Sequence, residues 1–368
     1  VSAGTGLDRP VRTVLVGYGW AGRTIWLPRL QEHSGYEVTA VVEPDPRARA
    51  TVPGARGLAD VAEVDPAETD LAIVAVPNHL HAPVAERLLL RGVPVFVEKP
   101  VCLSVAEADR LAAAELAGGA VLLAGSAARY RADVRALHEE AARLGPVRHL
   151  DLAWVRARGV PGAGGWFTDR GRAGGGALVD LGWHLLDAAG PLLDDAEFAQ
   201  VAGAVSADFV NSGDRRASWH AGGADGAAGD VEDTARGFLV TAGGVSVSLR
   251  ASWASHEARD VTRLTVEGEA GTAALTCTFG FSTNRWPGPA LTRTRHGVTA
   301  AVPLPDEPVG AEYLRQLDRL PGRLADPASR GRAIGRARRT IATIERLYAS
   351  ALPGRGTAAP LPEAVHAG

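Results

Sequence analysis

The first third of the chain alternates short apolar runs with stretches long enough for a helix. Val11–Val16 (broken only by Arg12 and Thr13), Val38–Val42, Leu71–Val76, Val93–Val97 and Val121–Ala124 are largely apolar and rich in β-branched residues. Helix-length segments such as Arg23–His33 and Ser104–Ala117 lie between them. Runs without polar alternation belong to strands covered on both faces, the state of a parallel sheet whose connections are helices. Right-handed crossovers then give a doubly wound α/β domain over residues 10–125.

After about Gly125 the pattern changes. Arg131–Leu144 and Ala177–Ala189 read as helices, and Val147–Arg156 reads as a strand. Strand-like runs then follow one another without helices: Ala202–Val210, Gly237–Thr241, Val245–Trp253, Val261–Glu267 and Thr272–Thr278. Turn signals such as Ala242-Gly243-Gly244 separate them, so neighbours pair antiparallel and residues 126–352 are expected to form an α+β domain. Asn211–Gly229, rich in Gly, Ala, Asp and Ser, reads as an exposed loop. Arg332–Leu352 reads as a last helix and 353–368 as a loose tail.

Composition narrows the class. The 368 residues are 46% hydrophobic and 22% charged, enough for two cores, and the net charge of −3 is spread over mixed-sign segments. Nucleic acid and anionic membrane are therefore poor partners. Cys102 and Cys277 match no metal or redox spacing and suit a reducing compartment. Val1–Pro10 lacks the pattern of a secretory signal and no run reaches the length of a membrane span, which together point to the cytoplasm.

Gly17-Tyr18-Gly19-Trp20-Ala21-Gly22 lies between the first strand and its helix, the context in which a glycine triad binds a pyrophosphate. Glu43, at the end of the second run, stands where a ribose 2′-hydroxyl is bound, and a carboxylate there repels a 2′-phosphate. NAD is thus expected ahead of NADP. Pro77-Asn78-His79-Leu80-His81 and Glu98-Lys99-Pro100 begin at the carboxyl ends of the third and fourth runs, the edge where ligands gather. His79 and His81 have no third ligand at matching spacing, so no metal is expected.

Lys99 is the one lysine among 39 Lys+Arg residues. Arginine serves wherever a solvated cation suffices; only lysine supplies a compact ammonium for chemistry. The third constellation is Gly174-Gly175-Gly176-Ala177-Leu178-Val179-Asp180-Leu181-Gly182-Trp183-His184-Leu185-Leu186-Asp187. Asp180 and His184, four apart, share a helix face, the spacing at which a carboxylate orients an imidazole and raises its pKa for acid–base work. The same helix, with Asp187 one turn on, also suits a metal site or a satisfied core histidine.

These three signatures in this order resemble the glucose–fructose oxidoreductase / inositol dehydrogenase / MocA family of NAD(P)-dependent oxidoreductases. The resemblance implies a Rossmann domain followed by a domain with a large, mostly antiparallel open sheet, through which a homodimer or homotetramer forms. It implies that Lys99 polarises the reacting oxygen, that His184 exchanges the proton and that Asp180 orients it. Pro77, Asn78, His81 and Glu98 then lie on the cofactor beside the nicotinamide, and Arg129, Tyr130, Trp166 and Asp187 on the substrate side. A polyhydroxylated substrate follows: a sugar, cyclitol or nucleotide-linked sugar. Two alternatives stay open, namely other chemistry on the same fold (imine reduction or redox-assisted glycoside cleavage) and a non-enzymatic sensor of dinucleotide.

Overall fold

The computed structural model describes residues 9–162, 164–217 and 228–351. The predicted tail, 353–368, lies outside them, as does much of the 211–229 loop.

Six parallel strands form the first sheet: β1 (Val11–Val16), β2 (Tyr36–Val42), β3 (Arg56–Leu58), β4 (Leu71–Val74), β5 (Val95–Val97) and β6 (Leu122–Ala124), in the order β3-β2-β1-β4-β5-β6. Period two divides their side chains between two cores. Val14, Val16, Val74, Val95 and Val97 face one side, while Leu15, Leu71, Ile73 and Phe96 face the other. The chain order reverses between β1 and β4, and at such a switch the loops diverge and leave a crevice. The glycine turn follows β1 and Pro77-Asn78 follows β4, so both candidate loops flank that crevice.

The second sheet has eight strands: β7 (Val147–Val155), β8 (Phe198–Ser206), β9 (Thr234–Thr241), β10 (Ser246–Ser252), β11 (Val261–Gly268), β12 (Gly271–Cys277), β13 (Ala290–Arg295) and β14 (Val298–Val302). Their order is β14-β13-β12-β11-β7-β10-β9-β8. All neighbours are antiparallel except β7 and β10, which run parallel inside the sheet. Because those two run together, their carboxyl ends meet at one edge. Trp154 of β7 and Trp253, just after β10, therefore project from the same end of the inner face, against the segment 178–189.

Two departures from the expected elements have local causes. The eighth strand spans Phe198–Ser206 rather than 202–210, because buried Asp233 accepts hydrogen bonds from Phe209 N (2.6 Å) and Val210 N (2.9 Å) and pulls that part of the chain out of the ladder. A helix at Ala311–Ala325, unforeseen because Pro321 and Gly322 interrupt it, returns to the first sheet. Its Leu317 and Leu320 are fully buried against the Leu15–Ile73–Phe96 side, and Tyr36 Oη donates to Leu317 O at 2.6 Å.

Candidate active site

Backbone shape at the glycine turn leaves room for a ligand. Gly17 has φ +99°, and a Cβ there would lie 2.6 Å from Ala75 O; a Cβ on Gly22 would lie 2.1 Å from Gly17 O. Gly19 faces open space, with nothing within 4 Å of a Cβ. The first and last glycines are thus fixed by packing, and the backbone at the middle one stays open to close approach by a ligand. Glu43 reaches the turn: its Oε2 accepts from Tyr18 N (3.1 Å) and its Oε1 from Asp45 N (3.0 Å). Ala21 opens a wide π-type turn, Ala21–Trp26, before the helix continues. Tyr18 is buried under Arg23, while Trp20 stays 41% exposed. An open glycine cradle beside a carboxylate fits a dinucleotide pyrophosphate and ribose.

Behind this turn, Glu98 ties two pieces together. Its Oε1 accepts from Trp26 Nε1 (2.9 Å) and its Oε2 from Lys99 N (2.9 Å), and burial raises its carboxyl despite both bonds. Pro77 precedes the helix Asn78–Leu90. Asn78 is buried and donates through Nδ2 to Ala173 O at 2.9 Å, bridging to the second half of the chain. His81 is 2% exposed, with ring nitrogens 2.7 Å from Pro100 O and 2.8 Å from Val76 O; burial lowers its pKa to about 4. Both side chains brace the loops through these bonds.

Lys99 and Asp180, 81 positions apart, meet: Nζ donates to Oδ1 at 2.6 Å. The other carboxylate oxygen, Oδ2, accepts from Trp253 Nε1 at 2.9 Å. Burial disfavours the Asp180 charge, but Lys99, Arg156 and the two hydrogen bonds outweigh it and hold the carboxyl below the usual range. The glycine run 174–176 lets this segment pack closely. A Cβ on Gly175 would lie 2.0 Å from Tyr348 Oη and one on Gly176 1.8 Å from Glu232 O. Glu232 then accepts from Gly176 N and Leu178 N, both at 3.0 Å, at the start of the segment that carries Asp180.

His184 departs from expectation. Asp180 directs its hydrogen bonds to Lys99 and Trp253, and His184 instead lies against Trp154, ring centroids 5.4 Å apart. The segment is not one α-helix: a π-type turn spans Leu178–Gly182 before the helix Trp183–Ala189. That wider turn changes the angle between positions 180 and 184, and such turns recur at functional sites. Nor is the histidine pKa raised. Burial, Lys99 and Arg156 outweigh Asp180 and depress it to about 3, so the imidazole is neutral.

The expected substrate-side residues fall into two groups. Trp166 meets Phe167 at a tilt (4.7 Å, 50°), and Phe167 leans on Trp253 (5.9 Å), so an aromatic wall connects with Asp180. Arg129 pairs with Asp187 at 3.5 Å, and burial raises the Asp187 carboxyl; Tyr130, adjacent, has a buried hydroxyl without a hydrogen-bond partner. Sequence reasoning missed Trp253, Trp154 and Arg156, whose guanidinium lies 5.3 Å over the Trp154 ring. Only strand parity at the paired ends of β7 and β10 separates them from core residues. Among the described residues there is no cluster of three or more metal-ligating side chains, and no helix long and apolar enough to cross a membrane.

A glycine cradle at the switch point and a lysine–carboxylate pair facing it define an NAD-binding oxidoreductase of Rossmann type. Residues 11–126 match the family model for the oxidoreductase family with NAD-binding Rossmann fold, and 133–274 match the GFO/IDH/MocA C-terminal domain. The chain belongs to the Gfo/Idh/MocA family of NAD(P)-dependent oxidoreductases. Over 352 residues, 95% of this chain and 98% of the relative, it is 58% identical to a protein of Amycolatopsis mediterranei (strain S699) bearing the provisional name UDP-kanosamine synthase oxidoreductase subunit. D-glucoside 3-dehydrogenase of Escherichia coli (strain K12) is 30% identical over 187 residues, 50% of this chain and 52% of that protein. The crystal structure of GenD2 from gentamicin A biosynthesis in complex with NAD has a TM-score of 0.74 at 25% identity, covering 96% of this chain and 98% of that one.

Proposed function

We propose that the chain oxidises a secondary hydroxyl of a nucleotide-linked hexose to a ketone, with NAD as the acceptor. The observation that carries this reading is the 2.6 Å Lys99–Asp180 pair with a neutral imidazole on the following turn. A neutral His184 takes the hydroxyl proton. The Lys99 ammonium holds the oxygen as negative charge develops, and Asp180, fixed by Trp253, keeps that ammonium in place. Gly17, Gly19, Gly22 and Glu43 would hold the cofactor, which when bound supplies the hydride acceptor. The sugar-nucleotide class rests on the 58% identical relative. Forming an aminosugar requires a carbonyl at the carbon to be aminated, which an oxidoreductase subunit supplies; the name of the E. coli relative directs attention to carbon 3.

The test is formation of reduced nicotinamide from UDP-glucose, other UDP-hexoses, free sugars and cyclitols, with a carbonyl trap to draw the oxidation forward. A UDP-hexose is expected to be the best substrate, and NAD to be preferred over NADP because Glu43 occupies the 2′-hydroxyl position. Protein that binds dinucleotide yet reduces it with none of these compounds would overturn the reading.

We also propose that a second copy of the chain covers the solvent face of the large sheet. Arg236 and Arg250 stand directly opposite each other across β9 and β10, and the buried Arg250 Nε has no hydrogen-bond partner. Like charges opposed in this way destabilise a sheet unless an anion covers them. Phe238, on the same face, is 51% exposed. Sedimentation velocity should report a dimer or larger and Arg250→Glu should dissociate it; a monomeric parent protein refutes the proposal.

A further inference from the structure

The glycine turn carries an indole that reaches across to the second half of the chain. Trp20 meets Phe281 edge to face, with ring centroids 5.9 Å apart and planes at 74°. Phe281 stacks on Tyr313 (5.8 Å, 20°), and Tyr313 meets Trp26 edge-on (5.7 Å, 84°). Trp26 rests on Phe96 of β5 and donates to Glu98, the neighbour of Lys99. The aromatic run thus starts inside the glycine turn at Trp20, passes through two residues from beyond β12 and returns to the first domain at Trp26.

The members of this run are held unequally. The Phe281 loop is braced internally: Arg285 donates to Gly280 O (2.6 Å) and Thr278 O (2.7 Å), and Trp286 N donates to Thr278 Oγ1 (2.8 Å). Tyr313 is partly buried and lies under the Arg29 guanidinium at 5.4 Å. Trp26 is fully buried. Trp20, at 41% exposure, is the most exposed member, and its contact with Phe281 is the one that lies nearest solvent.

The two walls of the crevice belong to different halves of the chain. Gly19 and Glu43 stand on the first sheet; Asp180 and Trp253 stand on the second domain. A dinucleotide lying on the glycine cradle and reaching Lys99 occupies the space between them. We propose that Trp20 and Phe281 form a clasp that closes the cofactor site, making the loop after β12 part of that site and slowing release of the dinucleotide. The proposal rests on the oxidoreductase reading only in requiring that a dinucleotide binds.

The experiment is stopped-flow displacement of bound NADH by excess NAD, followed by nicotinamide fluorescence without any sugar. Phe281→Ala and Trp20→Ala should each raise the release rate about two- to tenfold, the size of one aromatic pair. The double variant should be no faster than the faster single one, because both remove the same contact. Phe281→Ala leaves the glycine turn untouched and decides the matter if Trp20→Ala does not fold. Unchanged release in Phe281→Ala, or effects that multiply in the double variant, overturns the clasp and leaves the oxidoreductase reading intact. Failure of the parent protein to bind NADH or NADPH overturns both.

Discussion

Replacing Lys99 with arginine is expected to lower turnover about 10²–10³-fold, the loss that follows removal of one donor to a developing oxyanion, while NAD still binds. The Lys99 Nζ sits 2.6 Å from Asp180 Oδ1, in a site where Asp180 is already held by Trp253 and faces the Arg156 charge. A guanidinium is planar and forked. It would engage the carboxylate in two bonds and leave no compact donor for the reacting oxygen. Retained NAD binding is the control, because the glycine cradle and Glu43 lie apart from the ammonium. The check is kcat for the sugar nucleotide alongside NADH binding by fluorescence. Turnover near that of the parent protein would remove Lys99 from the chemistry.

The second large effect concerns the proton. His184→Ala should reduce turnover about 10²–10⁴-fold, the usual share of a general base. The pH dependence follows from the depressed pKa, whose sign is opposite to that expected from the Asp180–His184 spacing. Burial, Lys99 and Arg156 favour the neutral imidazole, with a pKa of about 3. The base is therefore unprotonated across the whole neutral range, and kcat/KM for oxidation should have no rising limb between pH 5 and 7 owed to His184. In Asp180→Asn the one neighbour that raises the histidine pKa loses its charge, so no such limb should emerge, while the rate falls as Lys99 loses its anchor. An ascending limb near pH 6–7 that vanishes in His184→Ala would restore the Asp180–His184 dyad and exclude the assignment made here.

The first domain was legible because its strands are largely apolar runs. Val11–Val16 coincides with β1, and the fifth run differs from β6 by one residue. β3 is three residues, Arg-Gly-Leu, too short to carry a periodic signal. β13 and β14 were invisible for another reason: Ala290–Arg295 and Val298–Val302 are polar or exposed on the sheet edge. The turn joining them, His296-Gly297, has positive φ at both residues (49° and 76°), a hairpin signal that its apolar flanks were too weak to reveal.

At the site, Lys99, Asp180 and Glu43 stood out because each is an unusual residue type at a strand or helix end. Which partner each one meets was not legible. The i, i+4 rule assumes α-helical geometry, and the wide turn at Leu178–Gly182 breaks that assumption between Asp180 and His184. Trp253 reached the carboxylate through sheet pairing over a separation of 73 positions, which no local pattern encodes.

The return of helix Ala311–Ala325 to the first sheet has a consequence for synthesis. The side of that sheet bearing Leu15, Ile73 and Phe96 is covered in part by Leu317 and Leu320, which the ribosome adds roughly 190 residues after β6. At the ordinary pace of translation this is about 10–40 s. During that interval Trp26, Leu27 and Leu30 cover only part of this face, and the patch that Leu317 and Leu320 later take stays bare, an apolar site for chaperones.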